Sequence, residues 1–175
     1  MGANYASAGR LCSAVANAIR NPATANIPAI RAEEAILHGY GVYILESPIN
    51  ALIAELLIAV GDPDSAEAVL QQAIRFVEDT KESYWLAELH RLQGICAERR
   101  GQSAASVERY FGQAAEVARR QQALPLEMRA LSDLCEFRQR HHGTDLPTAE
   151  LEQLLSAMKG NTCPDAERAR AILAR

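Results

Sequence analysis

The segment Leu89–Ala118, LHRLQGICAERRGQSAASVERYFGQAAEVA, decides the fold. Leu89, Leu92, Ile95 and Cys96 recur at spacings of three and four, and after Gly101 so do Val107, Phe111 and Ala114. A period near 3.6 marks amphipathic helices, whereas strands alternate with period 2. Gly101 stands between the two runs, where a helix can end in the left-handed conformation that only glycine adopts cheaply. The segment therefore predicts two helices folded back on each other about a tight turn.

The same arrangement recurs outward from this segment. Gly61, Gly101 and Gly143 are separated by 40 and 42 residues. Before Gly61, the run Asn50–Val60 carries Leu52, Ile53, Leu56, Leu57 and Val60; after it come Ala66, Leu70 and Ala73. Before Gly143, Met128, Leu131, Leu134, Cys135 and Phe137 share a face; after it come Leu151, Leu154, Leu155 and Met158. Asp62-Pro63 and Ser47-Pro48 each offer an N-cap followed by a proline suited to the first helical position. Pro125 and Pro147 mark two more helix starts, and Thr162 and Asp165 have capping-box spacing. Two earlier helices are predicted at Tyr5–Arg20, with Leu11, Val15 and Ile19 on one face, and at Ile27–His38. The expectation is one all-α domain over 1–175: leading helices in 1–46, three helix pairs in 47–159 and a capping helix in 162–175. Ala169, Ile172 and Leu173 would be buried by that cap.

Composition points the same way. Of 175 residues, 32 are alanine, and aromatics make up only 5%. Alanine is the best helix former and a poor strand former. No apolar run is long enough to span a membrane, and no secretory signal is expected at the N-terminus. Cys12, Cys96, Cys135 and Cys163 form no CxxC pair and are expected to be reduced thiols in a cytoplasmic protein. Residues 61–88 carry seven acids and two bases, whereas 89–140 carry nine arginines and six acids. Such a sign change marks either two solvated faces or a recognition surface, for which arginine is well suited. Nucleic acid is not the expected partner, because the chain as a whole has net charge -4 and lacks a basic stripe interleaved with aromatics.

The helix pair at Leu89–Ala118 resembles a tetratricopeptide repeat. Gly94 stands where such a repeat has a small residue that lets the second helix approach, and Val107, Phe111 and Ala114 match the second helix's signature. Ala54, Gly61, Ala66, Leu70 and Ala73 fill the same pattern in the first unit. In the third, Cys135 takes the small position and no aromatic follows Ala149. More narrowly, Ala87–Gly94, Ala114–Gln121, Leu126–Leu134 and the tail Asp165–Leu173 are similar to the C-terminal repeat arrays of large bacterial regulatory ATPases, which carry a cyclase or winged-helix domain. The resemblance implies helix pairs stacked as a right-handed solenoid. It also implies either a standalone relative of those arrays or a piece of such a regulator.

No phosphate-binding glycine loop, zinc-protease motif, nucleophile elbow or calcium loop is present, so neither a catalytic set, a cofactor nor a metal is expected. His38, His90, His141 and His142 form no ligand set by spacing, and His141-His142 suits the end of a helix. Glu33-Glu34 and Glu150/Glu152 read as solvated helix faces. Trp85 reads either as core packing between repeats or as an exposed anchor for a partner. In a helical repeat array the first helix of each pair lines the inner face. The polar residues there are Glu55, Glu88, Arg91, Glu98, Arg129, Ser132 and Glu136, the expected contacts for a protein or peptide partner. The expected function is a non-enzymatic, regulatory interaction module binding on this concave face. Its alternative is a ligand-sensing or autoinhibitory domain of a bacterial signalling ATPase. Self-association through a terminal repeat face is a further expectation. Charge reversal at Arg91 and Arg129 is expected to weaken partner binding without changing the melting temperature.

Overall fold

The computed structural model describes residues 2–141, 146–158 and 163–174. Among them there is no strand, and the regular structure is helical. The chain divides into two compact units, residues 1–79 and 80–175. The division falls after the first expected helix pair and not between the leading helices and that pair.

The first unit contains α1 (Gly2–Arg20), a short 3-10 turn (Pro22–Thr24), α2 (Ile27–Gly39), α3 (Glu46–Ala59) and α4 (Pro63–Thr80). Its core is Leu11, Ala18, Ile30, Leu37, Ile49, Ile53 and Leu56, with Val15, Leu52 and Val69 packed against it. Asn26 Oδ1 accepts from Ala29 N at the start of α2, and Asp62 Oδ1 accepts from Ser65 N at the start of α4, with Pro63 at the first helical position. Two expectations are corrected here. Ile19 is 63% exposed and does not join Leu11 on the buried face. Ser47-Pro48 does not begin α3, which starts at Glu46 behind Leu45. Proline is tolerated throughout a first turn, whose N–H groups have no intrahelical acceptor, so it cannot fix the starting residue.

The second unit contains α5 (Leu86–Arg99), α6 (Ala104–Arg120), α7 (Leu124–His141), α8 (Thr148–Ala157) and α9 (Pro164–Leu173). Helix α6 packs on both α5 and α7, and α9 packs on α7 and α8. The turn after α5 places Gly101 at φ +66°, with Gly101 N donating to Glu98 O and Gln102 N to Ala97 O. This is the paired hydrogen bonding of a Schellman end, and Gly61, at φ +84°, forms the same end after α3. Val107 and Phe111 are buried with Ala97, Leu134 and Phe137. Ala114, Met128, Leu131, Cys135 and Leu151 form a second cluster with Ala166, Ala169 and Ile172 of α9, so the last helix covers apolar surface as expected. Its N-cap is Cys163. Thr162 and Gly143, expected at a cap and a turn, lie outside the described residues.

Candidate functional site

The expected contact residues do not form an open polar lining. Glu88 and Arg91 are three apart on α5, Arg129, Asp133 and Glu136 follow at four and three on α7, and Asp165 and Arg168 are three apart on α9. These spacings put each set on one side of its helix, and the three sides meet. Arg91 donates through Nε and Nη2 to the two Glu88 oxygens at 2.9 and 2.8 Å and through Nη1 to Asp133 Oδ2 at 2.6 Å. Asp133 Oδ1 accepts from Arg168 Nη2 at 2.5 Å, and Arg168 also holds Glu136 at 2.8 and 3.2 Å. Arg129 grips Asp165 in a two-pronged contact at 3.0 and 2.9 Å and reaches Glu88 Oε1 at 3.3 Å. Four of the seven expected residues, Glu88, Arg91, Arg129 and Glu136, thus join one lattice with Asp133, Asp165 and Arg168.

Burial separates an inner from an outer part of this lattice. Glu88, Arg91 and Asp133 are buried, which corrects the expectation that Glu88 and Arg91 face solvent or a ligand. The side chains of Arg129, Arg168 and Glu136 are 32%, 33% and 26% exposed. Burial pulls the Arg91 guanidinium down, but Glu88 and Asp133 more than offset it and raise it above its ordinary value. The Arg129 guanidinium is raised chiefly by its hydrogen bonds to Asp165. In Arg168 the pull of burial is outweighed by Glu136 and Asp133. All three remain cations, and none offers a proton for acid–base work.

The other expected residues lie elsewhere. Glu98 pairs with Arg140 at 2.8 Å at the far end of α5 and α7. Ser132 is fully buried, and its Oγ has no hydrogen-bond partner. Glu55 is exposed on α3, in the first unit. Trp85 sits half-buried at the N-cap of α5, edge-on to Tyr84. The arginine surplus of residues 89–140 is largely consumed inside the second unit: Arg119 pairs with Glu127, Arg138 with Glu108, and Arg109 lies over the Tyr110 ring. An open groove of about 480 Å³ lined by Arg119, Glu127, Glu150, Gln153, Leu154 and Ala157 lies off this lattice.

Sequence reasoning missed Asp133, Asp165 and Arg168. Their signal was the run of charges Arg129, Asp133 and Glu136 at spacings of four and three on α7, and the Asp-to-Arg spacing of three on α9. It also misread Glu34, which is 4% exposed rather than solvated. Burial pushes the Glu34 carboxyl above its ordinary range, against the pull of Arg31. Glu34 stands with His38, one turn on along α2, and with Glu46 at the start of α3; His38 Nε2 is 2.7 Å from Glu46 Oε2. Glu33, by contrast, points toward α1, where it accepts from Ser7 and Arg10.

No family model matches the chain, and no solved structure does. One relative is an uncharacterized protein of Rhizobium meliloti (strain 1021), 37% identical over 84 residues, which are 48% of this chain. The matched segment is only 8% of that protein's length. Among the described residues no helix is long and apolar enough to cross a membrane.

Proposed function

We propose that the chain is a non-catalytic interaction module whose second unit stacks its helix pairs in the tetratricopeptide manner and binds a protein partner on the side formed by α5, α7 and α9. The carrying observation is the lattice itself. Arg129, Arg168 and Glu136 stand at the solvent boundary; Arg129 and Arg168 are held by the buried Glu88 and Asp133, and Glu136 is held in turn by Arg168. Long side chains ordinarily lose rotamer freedom when a partner immobilises them. Here that loss has already occurred on folding, so the outer groups present hydrogen-bonding directions at little further entropic cost. The buried Glu88–Arg91–Asp133 core sets register rather than touching the partner. On this reading the protein acts in the cytoplasm, and self-association would use a terminal helix face.

The alternative is a regulatory segment of a larger signalling ATPase. It is favoured by one observation: the relative in Rhizobium meliloti carries the similar segment as 8% of a far longer chain. In that setting the partner surface would belong to another domain of the same protein.

Site-specific photo-cross-linking tests both. A photoreactive residue replacing Glu136 is expected to capture one protein partner in cells, while the same residue replacing the exposed Gln113 of α6 captures none. Equal capture from both positions, or capture from α6 alone, would reject the α5–α7–α9 assignment. A product formed with a nucleotide-binding domain would favour the regulatory alternative.

A further inference from the structure

We propose that Glu34, His38 and Glu46 form a binding site for a divalent transition-metal ion within the first unit. The inference does not rest on the interaction reading, which concerns the second unit.

The three side chains each offer one ligand atom, and these atoms all lie within 4.8 Å of one another. A metal bound tetrahedrally by carboxylate oxygen and imidazole nitrogen at about 2.0–2.2 Å spaces its ligand atoms roughly 3.3–3.6 Å apart. The widest separation in the set therefore has to close by no more than about 1.5 Å, and the 2.7 Å between His38 Nε2 and Glu46 Oε2 has to open slightly, adjustments within reach of side-chain rotation. Glu34 and His38 are four apart on α2, so both leave the same side of that helix. Glu46 reaches them from the first turn of α3.

The surrounding hydrogen bonds single out the free ligand atoms. Glu34 Oε2 accepts from Arg31 Nη1 at 2.6 Å. Arg31 Nη2 donates to Asn50 Oδ1 at 2.7 Å, and Asn50 Nδ2 donates to Glu46 Oε1 at 3.0 Å and to Glu46 O at 2.8 Å. Asn50 is fully buried, so this chain is fixed. One oxygen of each carboxylate is thereby held from behind, as outer-shell partners hold the ligands of metal sites. The other oxygen of Glu34, Oε1, is buried and accepts no hydrogen bond, although Glu34 is 4% exposed. A buried carboxylate oxygen left without a partner is costly, and it is the atom that an ion would satisfy. The His38 ring is stacked on Tyr43 with centroids 4.6 Å apart, which fixes its plane.

The donor set selects the ion class. Two carboxylates and an imidazole suit zinc, iron, cobalt or nickel better than calcium or magnesium, which favour all-oxygen surroundings. Three protein ligands leave at least one coordination position for water or another ligand. The simpler arrangement would be a proton on His38 Nε2 shared with Glu46 Oε2, with Glu34 Oε1 left unsatisfied; the experiment decides between the two.

Tag-free full-length protein is titrated with zinc chloride by calorimetry and with cobalt chloride by absorption spectroscopy. One equivalent is expected to bind, giving cobalt ligand-field bands without thiolate charge transfer. Glu34→Gln, His38→Ala and Glu46→Gln should each weaken binding at least about tenfold, the scale on which even outer-shell changes act. Cys12→Ser and His141→Ala should leave it unchanged. Circular dichroism establishes that each variant is folded. Should the ligand variants unfold, cobalt bound to the wild-type chain is still expected to shift the imidazole resonances of a single histidine. Absence of saturable binding, unchanged affinity in all three folded ligand variants, a cobalt spectrum altered by Cys12→Ser, or no shifted imidazole signal would overturn the site.

Discussion

A Cβ atom added to Gly94 on α5 would stand 2.6 Å from Phe111 Cε1 and 2.7 Å from its Cδ1 on α6. That is closer than carbon atoms pack, and the Phe111 ring is 1% exposed among buried neighbours, so it has little room to move aside. Gly94→Ala should gain about 1 kcal/mol of helix propensity yet lose more through displacement of the ring, for a net destabilisation of about 1–2 kcal/mol. Phe111→Ala should cost about 3–5 kcal/mol. Urea unfolding followed by circular dichroism measures both. A Gly94→Ala variant more stable than wild type would mean that the helices do not meet at this point.

The burial of Arg91 reverses the expectation that changing Arg91 and Arg129 together leaves stability intact. Arg91→Met would leave Glu88 and Asp133 buried with only the outer Arg129 and Arg168 as counter-charges. Breaking a buried pair costs about 3–5 kcal/mol where the remaining charge is unpaired, and these remaining partners should reduce the loss to about 2–4 kcal/mol. Arg140→Met removes the pairing with Glu98 in a side chain that is 52% exposed, and should cost no more than about 1 kcal/mol. Chemical denaturation of the two variants side by side gives the comparison; equal losses would contradict the buried position of Arg91 relative to the more exposed pair of Glu98 and Arg140.

The cysteines supply an independent check on packing. Cys135 is fully inaccessible, and burial pushes its thiol up to about 11, whereas Cys12 is exposed. The thiolate is the reactive form. An aromatic disulfide reagent near neutral pH should therefore modify Cys12 quickly. Cys96 and Cys135 should react only at the rate of unfolding, and their reaction should accelerate with denaturant. Rapid labelling of Cys135 in the native protein would place α7 in a different orientation against α8 and α9.

Local signals made the helices legible, and long-range contacts limited what could be read of the site. Gly61 and Gly101 mark helix ends because a positive φ has a residue-level cost that glycine avoids. Gly94 and Phe111 were legible as a pair through their place in the repeat-like pattern. The charge lattice depends on partners 42 residues apart, as in Arg91 and Asp133, or 36 apart, as in Arg129 and Asp165. Their spacing within each helix shows that charges share a face, but only packing shows that the faces close on one another. Glu34 was misread for the same reason: it is buried on α2 beside Glu46 of α3, a long-range neighbour that spacing along α2 does not reveal. The start of α3 was displaced because Ser47-Pro48 fits two positions of a first turn equally well.

The end of α6 carries no glycine signal. After α6, Gln122 adopts φ +56°, while Gln122 N donates to Arg119 O and Ala123 N donates to Ala118 O at 2.9 Å. These are the same two bonds that Gly101 and Gln102 make after α5, so Gln122 occupies the position that glycine fills there. A side chain in this conformation costs roughly 1–2 kcal/mol, whereas glycine adopts it freely but loses more chain entropy on folding. The first effect is the larger, so Gln122→Gly should stabilise the protein by about 0.5–1 kcal/mol, and Gly101→Ala should destabilise it by a similar or greater amount. Both changes are at exposed positions, and a Cβ on Gly101 meets no atom within 4 Å, so packing does not obscure the comparison. Thermal melts of the two variants with opposite signs would support the shared turn geometry. Destabilisation by Gln122→Gly would show that the Gln122 side chain contributes more to the turn than its strained backbone costs.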